Sequence, residues 1–464
     1  MATLSRPDPR PQPRPAARIR PPRQSPLMWI RRVELQLLLM PATLAVIGLL
    51  TLVTVRTGQA RWGWKDMSVG LAFVVAVFVC SAIFSAAHFV GDEVLFPVTA
   101  ALAGLGFLMV QRLGPDVAPG ANIALKQLAY LAVALVLMVV IALGFKRRHL
   151  RLLRDYKYTW ALVGIALTAS VSVFGVEING ARLWFDLKLF YFQPAELLKI
   201  ILVVFFAAYL SEKRALLVAP FSIGRLRLPP LPYLFPALLM GVASLGLFAV
   251  QKDLGQALLV FGIFLSMLYL ASGRLSFIFG GFAAFALGAT AMYRVFSHVR
   301  VRVLIWLDPW RYGLDTGVQP VQSQYALATG GIFGQGLGQG DPTNIPLVHT
   351  DFVFSAIGEE LGALGTIALL VLYLFFVYRA FRIAEDAEDD FSRFLAAGFA
   401  VTLGLQAFII IAGDTGLIPL TGITLPFISY GGSSLLTNFV IVGMLLAISG
   451  MKPAERVAIP EVPT

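Results

Sequence analysis

Cysteine is nearly missing from this chain: Cys80 is the only one in 464 residues, so no intrachain disulfide can form and a redox or metal-thiolate centre has no basis. Histidine is scarce as well, with four in the chain, and no second histidine stands at helical spacing from His349, which argues against a zinc site. Charge is sparse, at 14% Asp, Glu, Lys and Arg, too little for the surface of a soluble domain of this length. What fills the space is apolar: 58% hydrophobic residues, Phe 35, and a mean hydropathy of +0.79. The composition is that of an integral membrane protein. The net charge of +11 does not point to nucleic acid, because the basic residues sit in an N-terminal tail and in short loops between apolar runs. Lipid headgroups and membrane orientation account for that placement.

Residues 1–27 are rich in Arg and Pro and read as a disordered cytosolic tail. The apolar stretch that follows is too long for a signal peptide and lacks a small-residue cleavage pattern, so it reads as a retained first span. Windows of about 20 apolar residues then predict about twelve spans, from 36–55, 67–89 and 94–111 through 233–250 and 255–272 to 353–378, 394–413 and 429–450. The chain is therefore expected to be an all-α polytopic membrane protein. An even number of spans puts both termini on one side. The basic linkers Lys146, Arg147, Arg148, Arg151, Arg154, Lys157 and Lys213, Arg214, Arg225, Arg227 fall on that side too, which the positive-inside rule makes cytoplasmic.

The opposite face collects the informative stretches. Asp253, in QKDLGQA (Gln251 to Ala257), stands between two long apolar runs, where an ionisable group is costly and asks for a function. In EINGARLWFDLKLFYFQPAELLKI, the aromatics Trp184, Phe185, Phe190, Tyr191 and Phe192 suit a segment in the headgroup region. Arg182 is a candidate anion contact, and Pro194 suits a first helical turn. Glu196 and Lys199 lie three residues apart on one helix face, as a structural ion pair or a substrate contact. The segment 297–352 opens with Arg300, Arg302, Trp306, Trp310 and Arg311, a mixture fitted to an anionic lipid surface. Its glycine run GGIFGQGLGQG has no preceding strand and reads as a flexible loop rather than a phosphate cradle. His349, Asp351, Glu359 and Glu360 gather at the mouth of the next span. The stretch 414–428 is broken by Gly and Pro, and Gly431, Gly432, Ser433 and Ser434 then open the last helix.

Together these motifs carry a resemblance. NGARLW, FQPAELLK, QKDLGQA, QSQYALATGGIFGQGLGQG, HTDFVFSAIGEELG and IPLTGITLPFISYGGSSLL, in that order, resemble the signatures of the SEDS family (shape, elongation, division and sporulation), to which RodA and FtsW belong. The resemblance implies a transmembrane glycosyltransferase core of about ten helices over 94–450, with an additional N-terminal helix pair over 28–93 and a cytosolic tail at 451–464. It implies polymerisation of lipid II into glycan strands outside the bacterial cytoplasmic membrane, beside a class B penicillin-binding protein, with Mg²⁺ or Mn²⁺ dependence and no identified metal ligands. Asp253 is then the expected catalytic residue, and Arg182, Gln193, Glu196, Lys199, Lys252, His349, Glu359 and Ser433 are the expected substrate contacts. The chain departs from the family pattern in its extra helix pair, in Lys252 where the motif carries Pro, and in Asp414 where many members are apolar.

The chemistry asks little of the protein. The acceptor hydroxyl must lose a proton as it attacks the anomeric carbon, while the lipid pyrophosphate leaves as a stable anion and needs no acid, unlike the leaving alkoxide of glycoside hydrolysis. One base can therefore suffice, and an α-linked donor gives a β-linkage by inversion. Lys252, Arg182 or a divalent cation would steady the departing charge. Two other classes fit the span count: a lipid flippase or transporter, which would want charges deeper and on both faces, and a non-catalytic scaffold for cell-wall enzymes.

Overall fold

The computed structural model describes residues 31–451 apart from 60–62, 179, 189, 219–220, 224–225, 229–230 and 314–315. The expected terminal tails and the side chains of Arg225 and Arg227 lie outside the described residues. Helices dominate: α1 (Arg32–Thr57), α2 (Trp64–Ala86), α3 (Leu95–Val117), α4 (Ile123–Gly144), α5 (Arg147–Asp155), α6 (Lys157–Phe174), α7 (Pro194–Val218) and α8 (Leu231–Val250) precede Asp253. After it come α9 (Leu254–Ser272), α10 (Leu275–Val295), α11 (Ser297–Leu307), α12 (Val318–Gly330), α13 (Val353–Glu385), α14 (Asp390–Asp414) and α15 (Gly432–Gly450). Among the described residues, 12 helices are long and apolar enough to cross a membrane. They coincide with the spans expected from hydropathy.

Burial sorts these helices into centre and rim. The apolar window of α3 is 94% buried and that of α10 is 0% buried, with α7, α14 and α15 also central. Lipid is as apolar as leucine, so close contact between helices depends on small residues that let backbones approach. A Cβ on Gly106 of α3 would stand 2.5 Å from the Ile428 Cα, and one on Gly398 of α14 would meet Val203 of α7 and Met267 of α9. Phe205, Phe206, Phe248, Phe399 and Phe439 fill the spaces between.

The helix ends are set by local chemistry. Asp253 caps α9, Asp389 caps α14 and Asn122 caps α4, each accepting a backbone N–H of the first turn. Left-handed glycines, Gly58 and Gly273, end α1 and α9. α13 breaks at Gly362 (φ 67, ψ −168), and the glycine run from Gly330 packs into that break. There the amides of Gln335 and Gly336 donate to Glu359 O and Glu360 O, and Ala363 and Leu364 donate to Gly331 O and Ile332 O. The run expected to be a flexible loop is thus pinned along α13, with the Gln335 and Gly336 amides spent on backbone carbonyls.

The aromatic segment before α7 is a small antiparallel sheet, β1 (Val176–Ile178), β2 (Ala181–Asp186) and β3 (Tyr191–Phe192), in the order β1-β2-β3. Alternating Leu183, Phe185 and Trp184, Asp186 suit a pleated strand as well as they suit a membrane interface. A second hairpin, β4 (Phe221–Ile223) with β5 (Leu226–Leu228), joins α7 to α8.

Alternation of the spans gives the molecule two ends. The sheet, residues 251–253, the segment 296–352 and the stretch 415–431 gather at one end, and α5, β4, β5 and residues 386–389 at the other.

Candidate active site at the Asp253 junction

Residues 251–253 carry the chain from α8 into α9. Lys252 takes a left-handed conformation (φ 61), which turns its side chain out to solvent and the next side chain inward. Gln251 anchors the turn to α6, its Nε2 donating to Thr168 O at 2.7 Å and Ser172 Oγ at 3.2 Å. Asp253 is 8% exposed. Its Oδ1 accepts the Gln256 amide hydrogen at 3.1 Å, and its Oδ2 lies 3.5 Å from Gln193 Nε2. Burial raises the Asp253 pKa to about 6, aided by Glu196 and opposed by the Gln256 amide and by Arg302. A carboxylate with one oxygen barely engaged and a pKa near 6 is poised to take a proton at neutral pH.

Gln193 reaches Asp253 because Ser433 holds it. The Gln193 amide donates to Ser433 Oγ at 3.0 Å, and Ser433 Oγ donates to Tyr191 O at 2.9 Å, tying the end of the sheet to the start of α15. Below them Gln256 Nε2 donates to Glu196 Oε1 at 3.0 Å. Glu196 pairs with Lys199 at 2.7 Å, and Lys199 Nζ also donates to Gln406 Oε1 at 2.8 Å and Asn438 Oδ1 at 3.0 Å. All three ammonium hydrogens of Lys199 therefore have acceptors, in a side chain fully shielded from solvent. The network joins α7, α9, α14 and α15 and supports the floor under Asp253.

The cation acting on Asp253 is Arg302 of α11, which the sequence suggested for a lipid surface. α11 instead turns Arg300 outward and Arg302 inward, where Nη1 donates to Leu420 O at 3.1 Å and Thr421 O at 3.2 Å. Its charge acts on Asp253 and on Asp351 together. Burial also lifts the Asp351 carboxyl to about 6, against the pull of Thr350 and Arg302. Lys252, the expected neighbour, places its charge toward His298. Arg302 and, through it, Asp351 thus join the site with no motif pairing them to Asp253; the available signal was that Arg300 and Arg302, two residues apart on a helix, face nearly opposite ways.

Other expected contacts lie apart. Arg182 on β2 pairs with Glu177 on β1 at 3.3 Å, both exposed. His349 is half-buried, its Nδ1 without a partner, and burial holds its pKa below the usual value. Glu359 belongs to a different cluster: its Oε1 accepts from the Asp341 amide at 2.8 Å, while neighbouring Glu360 pairs with Arg112 at 2.7 Å. Among the described residues no group of three His, Cys, Asp or Glu could hold a metal ion. The donor set does not fit a protein-built Mg²⁺ or Mn²⁺ cage.

Comparison with known proteins decides the family. The family model FTSW_RODA_SPOVE, described as cell cycle protein, matches residues 93–453. The chain belongs to the FtsW/RodA/SpoVE family. It is 40% identical over 446 residues to peptidoglycan glycosyltransferase RodA of Mycobacterium tuberculosis, covering 91% of each chain. It is 39% identical over 440 residues to the enzyme of the same name from Mycobacterium leprae, again with 91% of each covered. Among solved structures, a chain from work on the structural coordination of polymerization and crosslinking by a peptidoglycan synthase complex matches at 33% identity and TM-score 0.63, with 78% of this chain and 98% of that one covered. The rod shape determining protein RodA of Thermus thermophilus matches at 29% identity and TM-score 0.56, covering 78% of this chain and 97% of that one. The FtsW/RodA/SpoVE match begins at residue 93, so α1 and α2 precede it.

Proposed function

We propose that this membrane-embedded peptidoglycan glycosyltransferase polymerises lipid II on the outer face of the bacterial cytoplasmic membrane, with Asp253 as its general base. The observation that carries the reading is the state of Asp253: a buried carboxyl raised to about 6, with one oxygen capping α9 and the other barely engaged. In the reaction, the acceptor hydroxyl passes its proton to Asp253 Oδ2 as its oxygen attacks the anomeric carbon. The bond to the lipid pyrophosphate breaks on the opposite side, and undecaprenyl pyrophosphate leaves as an anion. Inversion follows from the single displacement.

Arg302 donates from Nη1 to two backbone carbonyls and its charge acts on the two aspartates, a placement that suits it to tune the base. Solvent-facing Lys252 remains to meet the departing charge. Glu196, Lys199 and Ser433 act by holding Gln193 and Gln256 in place. The basic end of the bundle, with Lys146, Arg148 and Arg151, faces the cytoplasm, along with both termini. A class B penicillin-binding protein is the partner that would cross-link the strands, in keeping with the synthase complex among the solved relatives.

The test is an assay of purified protein with labelled lipid II, with and without that partner. Glycan polymer is the expected product. Translocation of lipid II without polymer would overturn the reading in favour of a flippase, and neither activity in favour of a scaffold.

A further inference from the structure

The end of the bundle opposite Asp253 carries a feature the reaction does not use. Between α4 and α6 the chain runs through α5, RRHLRLLRD, whose Leu150 is buried while Arg147, Arg148 and Arg151 are exposed. A cavity of about 420 Å³ opens beside it, walled by Arg147, Arg151 and Arg154 on one side and by Asp389, Ser392 and Ile448 on the other.

The charges in that cavity do not cancel. Arg147 is taken by Glu388 at 2.5 Å. Asp389 is occupied in capping α14, accepting from Ser392 N at 3.1 Å and Ser392 Oγ at 2.7 Å. Among the described residues Arg154 pairs with Asp155, at 3.5 Å. Arg151 has no ion pair among the described residues. Two guanidinium groups therefore face the space with little to neutralise them, a fork suited to phosphate oxygens.

A second cavity of about 380 Å³ adjoins the first, sharing Arg147 and Met451, and is lined by Ala142, Leu143, Phe145 and Ala447 together with His88 and Lys146. The depth of the pair is marked by Tyr156, Tyr158 and Trp160, all exposed at the start of α6, where an aromatic belt meets the headgroup layer. A chamber walled by arginines that opens into one of mixed apolar and basic lining, at the level of the headgroups, suits an anionic phospholipid.

We propose that these adjoining cavities bind one anionic phospholipid, its phosphate between Arg151 and Arg154 and the first methylenes of its chains against Leu143, Phe145 and Ala447 in the second chamber. The occupant is distinct from the lipid-linked substrate at the other end of the bundle. A lipid phosphodiester and free phosphate share the recognising chemistry, but only the lipid uses the second chamber.

The test is lipid retention by the full-length protein, delipidated in detergent and offered phosphatidylglycerol or phosphatidylcholine, with bound lipid counted by native mass spectrometry. Phosphatidylglycerol is expected to be retained about tenfold over phosphatidylcholine, and the Arg151→Gln/Arg154→Gln double variant to lose that preference by about tenfold. Arg148→Gln removes a charge from the same helix outside the cavity and is expected to stay within about twofold of the native protein. A monodisperse gel-filtration profile of each variant excludes misfolding. Equal retention of the two lipids, an Arg148→Gln effect as large as the double variant's, or full displacement of the lipid by millimolar inorganic phosphate would each overturn the proposal.

Discussion

Asp253 gives one carboxylate oxygen to the amide of Gln256, at 3.1 Å, and so caps the very helix that carries it away from the membrane surface. The cap fixes the carboxyl group in direction while the second oxygen stays 3.5 Å from Gln193. One residue thereby serves the fold with one atom and the chemistry with the other.

The raised pKa gives the rate a definite pH dependence. Asp253 works as a base only when ionised, so polymerisation is expected to rise as pH increases through about 6 and to level off above it. Removing Arg302, which favours the ionised form, moves that limb to higher pH. Arg302→Gln is therefore expected to slow the reaction about two- to threefold at pH 6 and to have little effect above pH 7. A pH–rate series on both proteins checks it; superimposable profiles would remove Arg302 from the site.

Stability carries the opposite sign. A carboxyl whose folded pKa lies above its unfolded value of 3.8 stabilises the fold fully below about pH 4, and that contribution is lost as pH rises through about 6. Asp253→Asn keeps the cap and removes the charge, so at pH 7.5 it is expected to stabilise the protein by roughly 2–3 kcal/mol. Thermal unfolding at pH 4 and pH 7.5 measures this, with the gain appearing only at the higher pH.

The Glu196–Lys199 pair, 2.7 Å apart and shut off from solvent, separates support from contact. Lys199→Met strands a buried carboxylate and is expected to cost about 3–5 kcal/mol, whereas the neutral double variant Glu196→Gln/Lys199→Met costs much less. If the double variant regains stability and activity together, the pair supports the floor; recovered stability without activity would make it a substrate contact.

The clasp of the glycine run on α13 is tested at Gly334. Its φ is +82, and a Cβ there would run into the Glu360 carbonyl, so Gly334→Ala is expected to cost about 2 kcal/mol or more. Unfolding in detergent measures the loss.

Much of this was legible in the sequence because membrane spans depend on local composition. All 12 spans follow from runs of apolar residues, and Asp253 from a charge at a junction between them. Gln193, Glu196, Lys199 and Ser433 were named from their motifs, though not the way Ser433 and Gln193 join. Arg302 stayed unassigned because it reaches Asp253 and Asp351 only when α11 folds back toward the stretch carrying Leu420 and Thr421. Lys252 misled for a local reason: in left-handed backbone, adjacent side chains point apart, so the nearest cation in sequence is not the one facing the carboxylate.

The most direct test of the mechanism is polymerisation of labelled lipid II by purified Asp253→Asn beside the native protein at pH 7.5, each with its penicillin-binding partner. A loss of at least about 100-fold in polymer, from a variant that is folded and at least as heat-stable as the native protein, is the expected result. Polymer formation at the native rate would contradict it and leave Asp253 as a helix cap alone.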